Sequence, residues 1–201
     1  KGIIKEDFTK RYFIPNFFCF GDFEKQDYQK NKINVQNFYP VGSLRLSNFL
    51  FEKKKEYLTT HKKKYDILLI SDGIKLDINK SFGTSKFDNE IGEFYQNLIK
   101  YVIENNLNFI CSFKRLNSTK KKLNDEIAFY KKYLNKTQFN YLMDNSTLKF
   151  EKKSFLTYEL MIESELLVSI FSTMLRECLS INKKALAVNF SNNDIFDFPI
   201  D

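Results

Sequence analysis

Tryptophan is absent from this sequence, and histidine occurs once, as His61 within a lysine-rich stretch. A single histidine with no CxxC spacing removes the His-dependent nucleophilic triads and the usual zinc ligand sets. The three cysteines, Cys19, Cys111 and Cys178, are odd in number and lie in apolar stretches. That is the pattern of free buried thiols in a reducing compartment, not of a disulfide framework. Six glycines and three prolines exclude collagen-like and Pro/Gly-rich disordered chains. No apolar run approaches the roughly 20 residues that a membrane-spanning helix needs, and Lys1-Gly2-Ile3-Ile4 carries no signal-peptide pattern. No metal and no cofactor is expected. There is no initiator Met and the chain stops at Ile200-Asp201, so both ends read as cut.

Arginine is scarce too. It occurs only at positions 11, 45, 115 and 176, although the net charge is +7. The positive charge comes in short lysine runs, Lys53 to Lys55, Lys62 to Lys64 and Lys120 to Lys122, set between apolar segments. Nucleic-acid readers favour the bidentate arginine, and a charge run is first a solvated surface, so no nucleic-acid partner is expected. A weak peripheral attraction to anionic lipid headgroups of an inner membrane fits the same lysines. What the chain does have is bulk: 22 Phe and 11 Tyr within a 43% hydrophobic composition supply a large buried area.

Short apolar runs alternate with helical periods. Residues 66–70 form a continuous apolar run closed by Ser71-Asp72-Gly73, the pattern of a strand buried on both faces. Ile91, Phe94, Tyr95, Leu98, Ile99 and Val102 then recur at amphipathic helix spacing, ended by Asn105-Asn106. Residues 109–113 read as a second strand. A helix carrying Leu123, Ile127, Tyr130 and Leu134 follows, then a short one around Phe139, Leu142 and Met143, and a brief strand at 148–150. Ser154 is the expected N-cap of a helix through Tyr158, Met161 and Ile162. Strands at 166–170 and 185–190 flank a helix from Met174 to Asn182. Such alternation implies βαβ units and one parallel sheet with helices on both faces. Ligands of such sheets bind beyond the carboxyl ends of the strands. The domain reading is 1–50 as the end of a preceding domain and interdomain segment, 51–64 as a charged linker, and 65–201 as an α/β domain.

The residues that could carry chemistry follow the apolar runs. Ser172 and Thr173 stand between a strand and a helix, where hydroxyls and free backbone N–H groups can meet an anion. At helical spacing Thr173, Glu177 and Ser180 share one face, opposite Leu175, Cys178 and Leu179. A Glu177 carboxylate there can accept hydrogen bonds from a ribose diol or a sugar hydroxyl. The plainer reading is a Ser/Thr cap and a solvated glutamate. Lys114 and Arg115 end the second strand, where paired cations could neutralise a pyrophosphate leaving group; the alternative is a cationic strand end in solvent. Asp72, with Ser71 before it, is either a general base in the cleft or part of an Asp-Gly turn. Gly21-Asp22 reads as a helix start.

The segment from Ser169 through Ser172-Thr173 and Glu177 to Lys183-Lys184 resembles the donor-site segment of GT-B glycosyltransferases. Residues 16–24 followed by Tyr39-Pro40-Val41-Gly42-Ser43-Leu44-Arg45 are similar to the passage between the two domains of bacterial surface-carbohydrate and capsule biosynthesis proteins and of related glycerophosphotransferases. The likeness spans about residues 11 to 201. It departs at Leu116-Asn117, where many relatives have a His-Pro pair. The resemblance implies a Rossmann-like α/β fold, the C-terminal half of a GT-B fold. It implies a cytoplasmic glycosyltransferase, peripheral at the inner face of the plasma membrane, that moves a sugar from a nucleotide-activated donor to a glycan or lipid-linked acceptor. Lys114, Arg115 and Asp72 would be catalytic, Ser71, Ser172, Thr173 and Glu177 would bind the donor, and Gly42, Ser43 and Arg45 would form the hinge that relatives use for domain closure. Two alternatives stay open: polyol-phosphate transfer from a CDP-linked donor, and a non-catalytic α/β module that binds a nucleotide or glycan.

Overall fold

The computed structural model describes residues 13–53, 62–72, 88–114, 119–151 and 153–190. The chain forms two compact units, residues 1–57 and 58–201.

In the first unit, β1 (Ile14–Cys19), α1 (Asp22–Lys30), β2 (Val35–Pro40) and α2 (Leu44–Lys53) follow one another. The two strands pair in parallel, with Phe17 beside Phe38 and Phe18 beside Tyr39. One face packs on α1: Tyr28 stacks on Phe17 at 4.5 Å and meets Phe38 edge-on at 6.4 Å. Gly21-Asp22 does open a helix. Gly42, in the left-handed region at φ 74, turns the chain into α2. Ser43 caps that helix, its Oγ accepting from Leu46 N at 3.1 Å. Because α2 continues to Lys53, the first residues of the expected linker are helical.

The second unit contains β3 (Tyr65–Ile70), α3 (Asp88–Glu104), β4 (Phe109–Ser112), α4 (Lys120–Tyr133), α5 (Lys136–Asp144), a 3-10 turn (Thr147–Lys149), α6 (Leu156–Ile162), β5 (Ser164–Ser169), α7 (Met174–Ser180) and β6 (Lys184–Ala187). The four strands form one parallel sheet in the order β4-β3-β5-β6. It is a Rossmann-like α/β fold, and four of the five expected strands are present.

Each central strand is buried on both faces, which is why its sequence is apolar without alternation. Ile67, Leu69, Phe109, Cys111 and Val168 face one way, into a core with Ile91, Tyr95, Ile99 and Val102 of α3, Phe129 and Tyr130 of α4, and Leu142 of α5. The buried Leu68, Ile70, Ile110 and Leu167 face the other way. On that side Ser112 Oγ meets Thr157 Oγ1 of α6 at 3.0 Å, and Tyr158 of α6 bonds Glu177 of α7. Helices therefore cover both faces.

Two local expectations are corrected. Residues 148–150 are no strand. Asn145 O accepts from Cys111 N and Ser146 makes one isolated bridge to it, after which the chain curls into the 3-10 turn. Thr147 Oγ1 takes the Phe113 amide at 3.0 Å, so a side chain ends the pairing that backbone would have continued. Ser154 is not the cap of α6; Phe155 stands there with no side-chain cap bond. The capping box lies one helix earlier, where Asn135 and Gln138 satisfy each other's backbone amides at the start of α5.

Candidate functional site

The connection leaving β3 runs to β4 on one side of the sheet, and the connection leaving β5 runs to β6 on the other. β3 and β5 are neighbours, so the crevice of this topology opens at their carboxyl ends. Ser71-Asp72 ends β3, Phe113-Lys114 ends β4, and Ile170-Phe171-Ser172 ends β5.

Asp72 holds these ends together. Its Oδ1 accepts from Phe171 N at 2.8 Å and from Ser169 Oγ, whose one proton is shared with Ile70 O, each at 3.1 Å. Its Oδ2 accepts from Tyr95 OH at 3.1 Å and Ile170 N at 3.3 Å. Burial pushes the carboxyl above its ordinary range, while the Phe171 and Ile170 amides, the Lys114 charge and Tyr95 pull it back. A carboxylate with four donors already in place is a brace between strands, not a free base. Sequence alone offered a turn or a base, and neither describes this geometry.

Ser71 is fully buried on the α4 side. Its hydroxyl donates to the buried carboxylate of Glu126 and accepts from Lys114 N at 2.8 Å. Ser71 thus fixes the β4 turn rather than facing a ligand. Lys114 keeps its side chain exposed and within Coulombic reach of Asp72, so β3, β4 and β5 bring it to the same end as Ser172. Arg115 lies outside the described residues.

At the start of α7, Ser172 Oγ accepts from Met174 N at 3.2 Å, while Thr173 is exposed and makes no side-chain cap bond. The expected helix face is corrected. Leu175, Glu177 and Cys178 are the buried residues, and Leu179 is 38% exposed. α6 lies against this side, and its Tyr158 hydroxyl donates to Glu177 Oε1 at 3.0 Å. That bond makes burial of the carboxylate tolerable. Glu177 is 5% exposed, neither solvated nor open along its length to the crevice.

No protein-family model, curated protein or solved structure matches this chain. What the crevice does must therefore be argued from its own residues.

Three groups escaped sequence reasoning: Glu126, Tyr95 and Tyr158. Each sits within an apolar helical period, where an aromatic reads as core and a glutamate as surface. Burial pushes the Tyr95 and Tyr130 phenols well above their ordinary range, so both remain hydrogen-bond donors. Tyr95 donates to Asp72, and the Tyr130 ring packs on it at 5.0 Å between centroids. The thiols are buried and free; burial pushes Cys178 up to about 11 and Cys111 well above its usual value, which makes both poor nucleophiles. Among the described residues no group of three His, Cys, Asp or Glu side chains is placed to hold a metal ion. None of the described helices is long and apolar enough to cross a membrane. Gly42 and Ser43 form the turn and cap of α2 in the first unit, and Arg45 lies in that helix's first turn.

Proposed function

We propose that residues 58–201 are the donor-binding part of a glycosyltransferase-like protein of cell-surface polysaccharide biosynthesis, acting on the cytoplasmic side of the membrane. One observation carries the reading: the switch point between β3 and β5 coincides with an exposed cation, Lys114, and a hydroxyl-bearing turn, Ser172-Thr173. A nucleotide-activated sugar has complementary chemistry, an anionic diphosphate next to a hydroxyl-rich ring. Lys114, with Arg115 beside it in sequence, would offset charge developing on the leaving diphosphate. Ser172 and Thr173 would bond phosphate oxygens. Glu177, buried and bonded to Tyr158, would hold the start of α7 in place behind them rather than meet the ligand itself. The acceptor would be a glycan or a lipid-linked glycan, with the lysine runs favouring an anionic membrane surface.

A second reading, binding without turnover, is favoured by one feature. Asp72, the carboxylate at the switch point, is committed to four donors, which leaves it no lone pair suited to proton abstraction.

Thermal melts with millimolar UDP-, CMP-, CDP- and GDP-linked compounds test both readings. One nucleotide class is expected to raise the melting point, and Lys114→Ala to weaken that binding about tenfold, near the 1.4 kcal/mol of one charge-assisted contact. Nucleotide release on adding a glycan acceptor marks transfer; stabilisation without release marks the binding module. A CDP-polyol acting where nucleotide sugars do not would assign polyol-phosphate transfer. If no nucleotide moves the melting point, the transferase is abandoned.

A further inference from the structure

We propose that Tyr95 is a positioning residue for the crevice: its hydroxyl holds the Asp72 carboxylate in the orientation that fixes the backbone at Ile170 and Phe171, and through it the placement of Ser172 and Thr173. This rests on the proposed function only in treating Ser172 and Thr173 as ligand contacts.

Of the four donors to Asp72, three come from β5 and the residues just after it: Ser169 Oγ, Ile170 N and Phe171 N. Only Tyr95, on α3, comes from elsewhere. The terminal torsion of an aspartate is broad and nearly two-fold. Donors from one strand can follow the carboxylate as it rotates; a donor anchored in a different element cannot. Tyr95 is anchored. Its side chain is 1% exposed, and its ring is bounded by Phe94 at 5.3 Å, Tyr130 at 5.0 Å and Phe129 at 6.2 Å between centroids. The Tyr95 hydroxyl makes its bond to Asp72 from this packed position. The charged or titratable groups around the carboxylate are Lys114, Tyr95 and the neutral Cys111 thiol. Losing the Tyr95 bond would therefore free the Phe171–Thr173 turn without removing a core ring.

Tyr95→Phe in the full chain tests this, because it deletes one oxygen and keeps the ring. Amide hydrogen exchange is followed at Ile170 and Phe171, with Leu68 and Ile110 as references in the same sheet. Exchange at Ile170 and Phe171 is expected to quicken about tenfold while the references stay within about twofold. By carbon NMR the Asp72 carboxyl is expected to titrate higher, because a bond to its charged form is gone. Unchanged exchange at Ile170 and Phe171, or equal acceleration at all four amides, overturns the proposal. Should Tyr95→Phe fail to fold, Asp72→Asn decides: it weakens the same bond from the other partner, and unchanged exchange at Ile170 and Phe171 overturns the proposal. UDP and CDP at millimolar concentration supply the separate ligand arm. If wild type binds neither, the functional reading fails, while exchange still decides whether Tyr95 positions the turn. If wild type binds one, and Tyr95→Phe loosens the turn but keeps that affinity, the positioning claim falls and the crevice assignment stands.

Discussion

The two ends of the four-stranded sheet handle charge in opposite ways. At the amino end, carboxylates pair with lysines. Glu165 pairs with Lys63 and, at 2.8 Å, with Lys184, and Glu163 takes Lys64 at 2.8 Å. Lys183 there donates to the carbonyls of Ile162 and Ser164, closing the end of α6. At the carboxyl end, buried carboxylates take hydroxyl and amide donors: Glu126 from Ser71, Asp72 from Tyr95, Ser169 and two amides, and Glu177 from Tyr158. The lysine at that end, Lys114, stays exposed. The amino end holds its carboxylates by ion pairs between long side chains, which salt screens. The carboxyl end holds its carboxylates by directed bonds from hydroxyls and amides, which fix geometry. The difference is one of placement: directed bonds set where each strand end stands, and ion pairs between long side chains do so less.

The sharpest way to break the comparison is in the packed layer beneath the crevice. Leu175 is fully buried, and Leu175→Ala is expected to cost about 2–5 kcal/mol in urea denaturation. Asp72→Ala should follow, at about 2–4 kcal/mol, because it leaves several buried donors unmatched. If Asp72→Ala costs no more than a surface substitution, the brace does not exist. Glu177→Ala is expected to cost about 1–3 kcal/mol, since Tyr158 loses its acceptor in a buried site. A neutral result would return Glu177 to the solvated face that its spacing suggested. Gly92, on α3, sharpens the picture of how that helix meets α4. A Cβ there would collide with the Tyr133 ring, so Gly92→Ala should destabilise by about 1–3 kcal/mol despite better helix propensity. The smallest effect belongs to the amino end. Glu165→Gln should cost under about 1 kcal/mol and less in high salt, as exposed pairs do.

Asp72 also sets a pH dependence that the amino end should lack. Its carboxyl is raised in the folded protein, so the folded state binds more proton than the unfolded one between the two pKa values. Stability should therefore fall as pH rises from the ordinary aspartate range through the raised value. Asp72→Asn should flatten that part of the stability curve, whereas Glu165→Gln should leave it in place.

The strands β3 to β6 and the periods of α3 to α5 could be read from sequence because each reports burial through a local pattern. β1 and β2 could not: Asn16, Phe18, Asn37 and Tyr39 are all exposed, and mixed aromatic and polar runs carry no clear period. The strand expected at 148–150 does not form, because the local course turns on one side-chain bond, from Phe113 N to Thr147. The position of Ser172-Thr173 and Lys114 just after apolar runs was legible, and a parallel fold then implied one shared end.

From sequence alone come the class of fold, the strand runs and the polar residues that follow them, since a doubly buried strand must be apolar throughout and must end where polarity resumes. Only the tertiary structure decided the strand order and the state of each carboxylate. Ser71 meets Glu126 across 55 residues and Asp72 meets Phe171 across 99, and no local period encodes such a partner. Whether a buried acid is brace or base depends on the donors that reach it, and those arrive from distant segments once the core has closed.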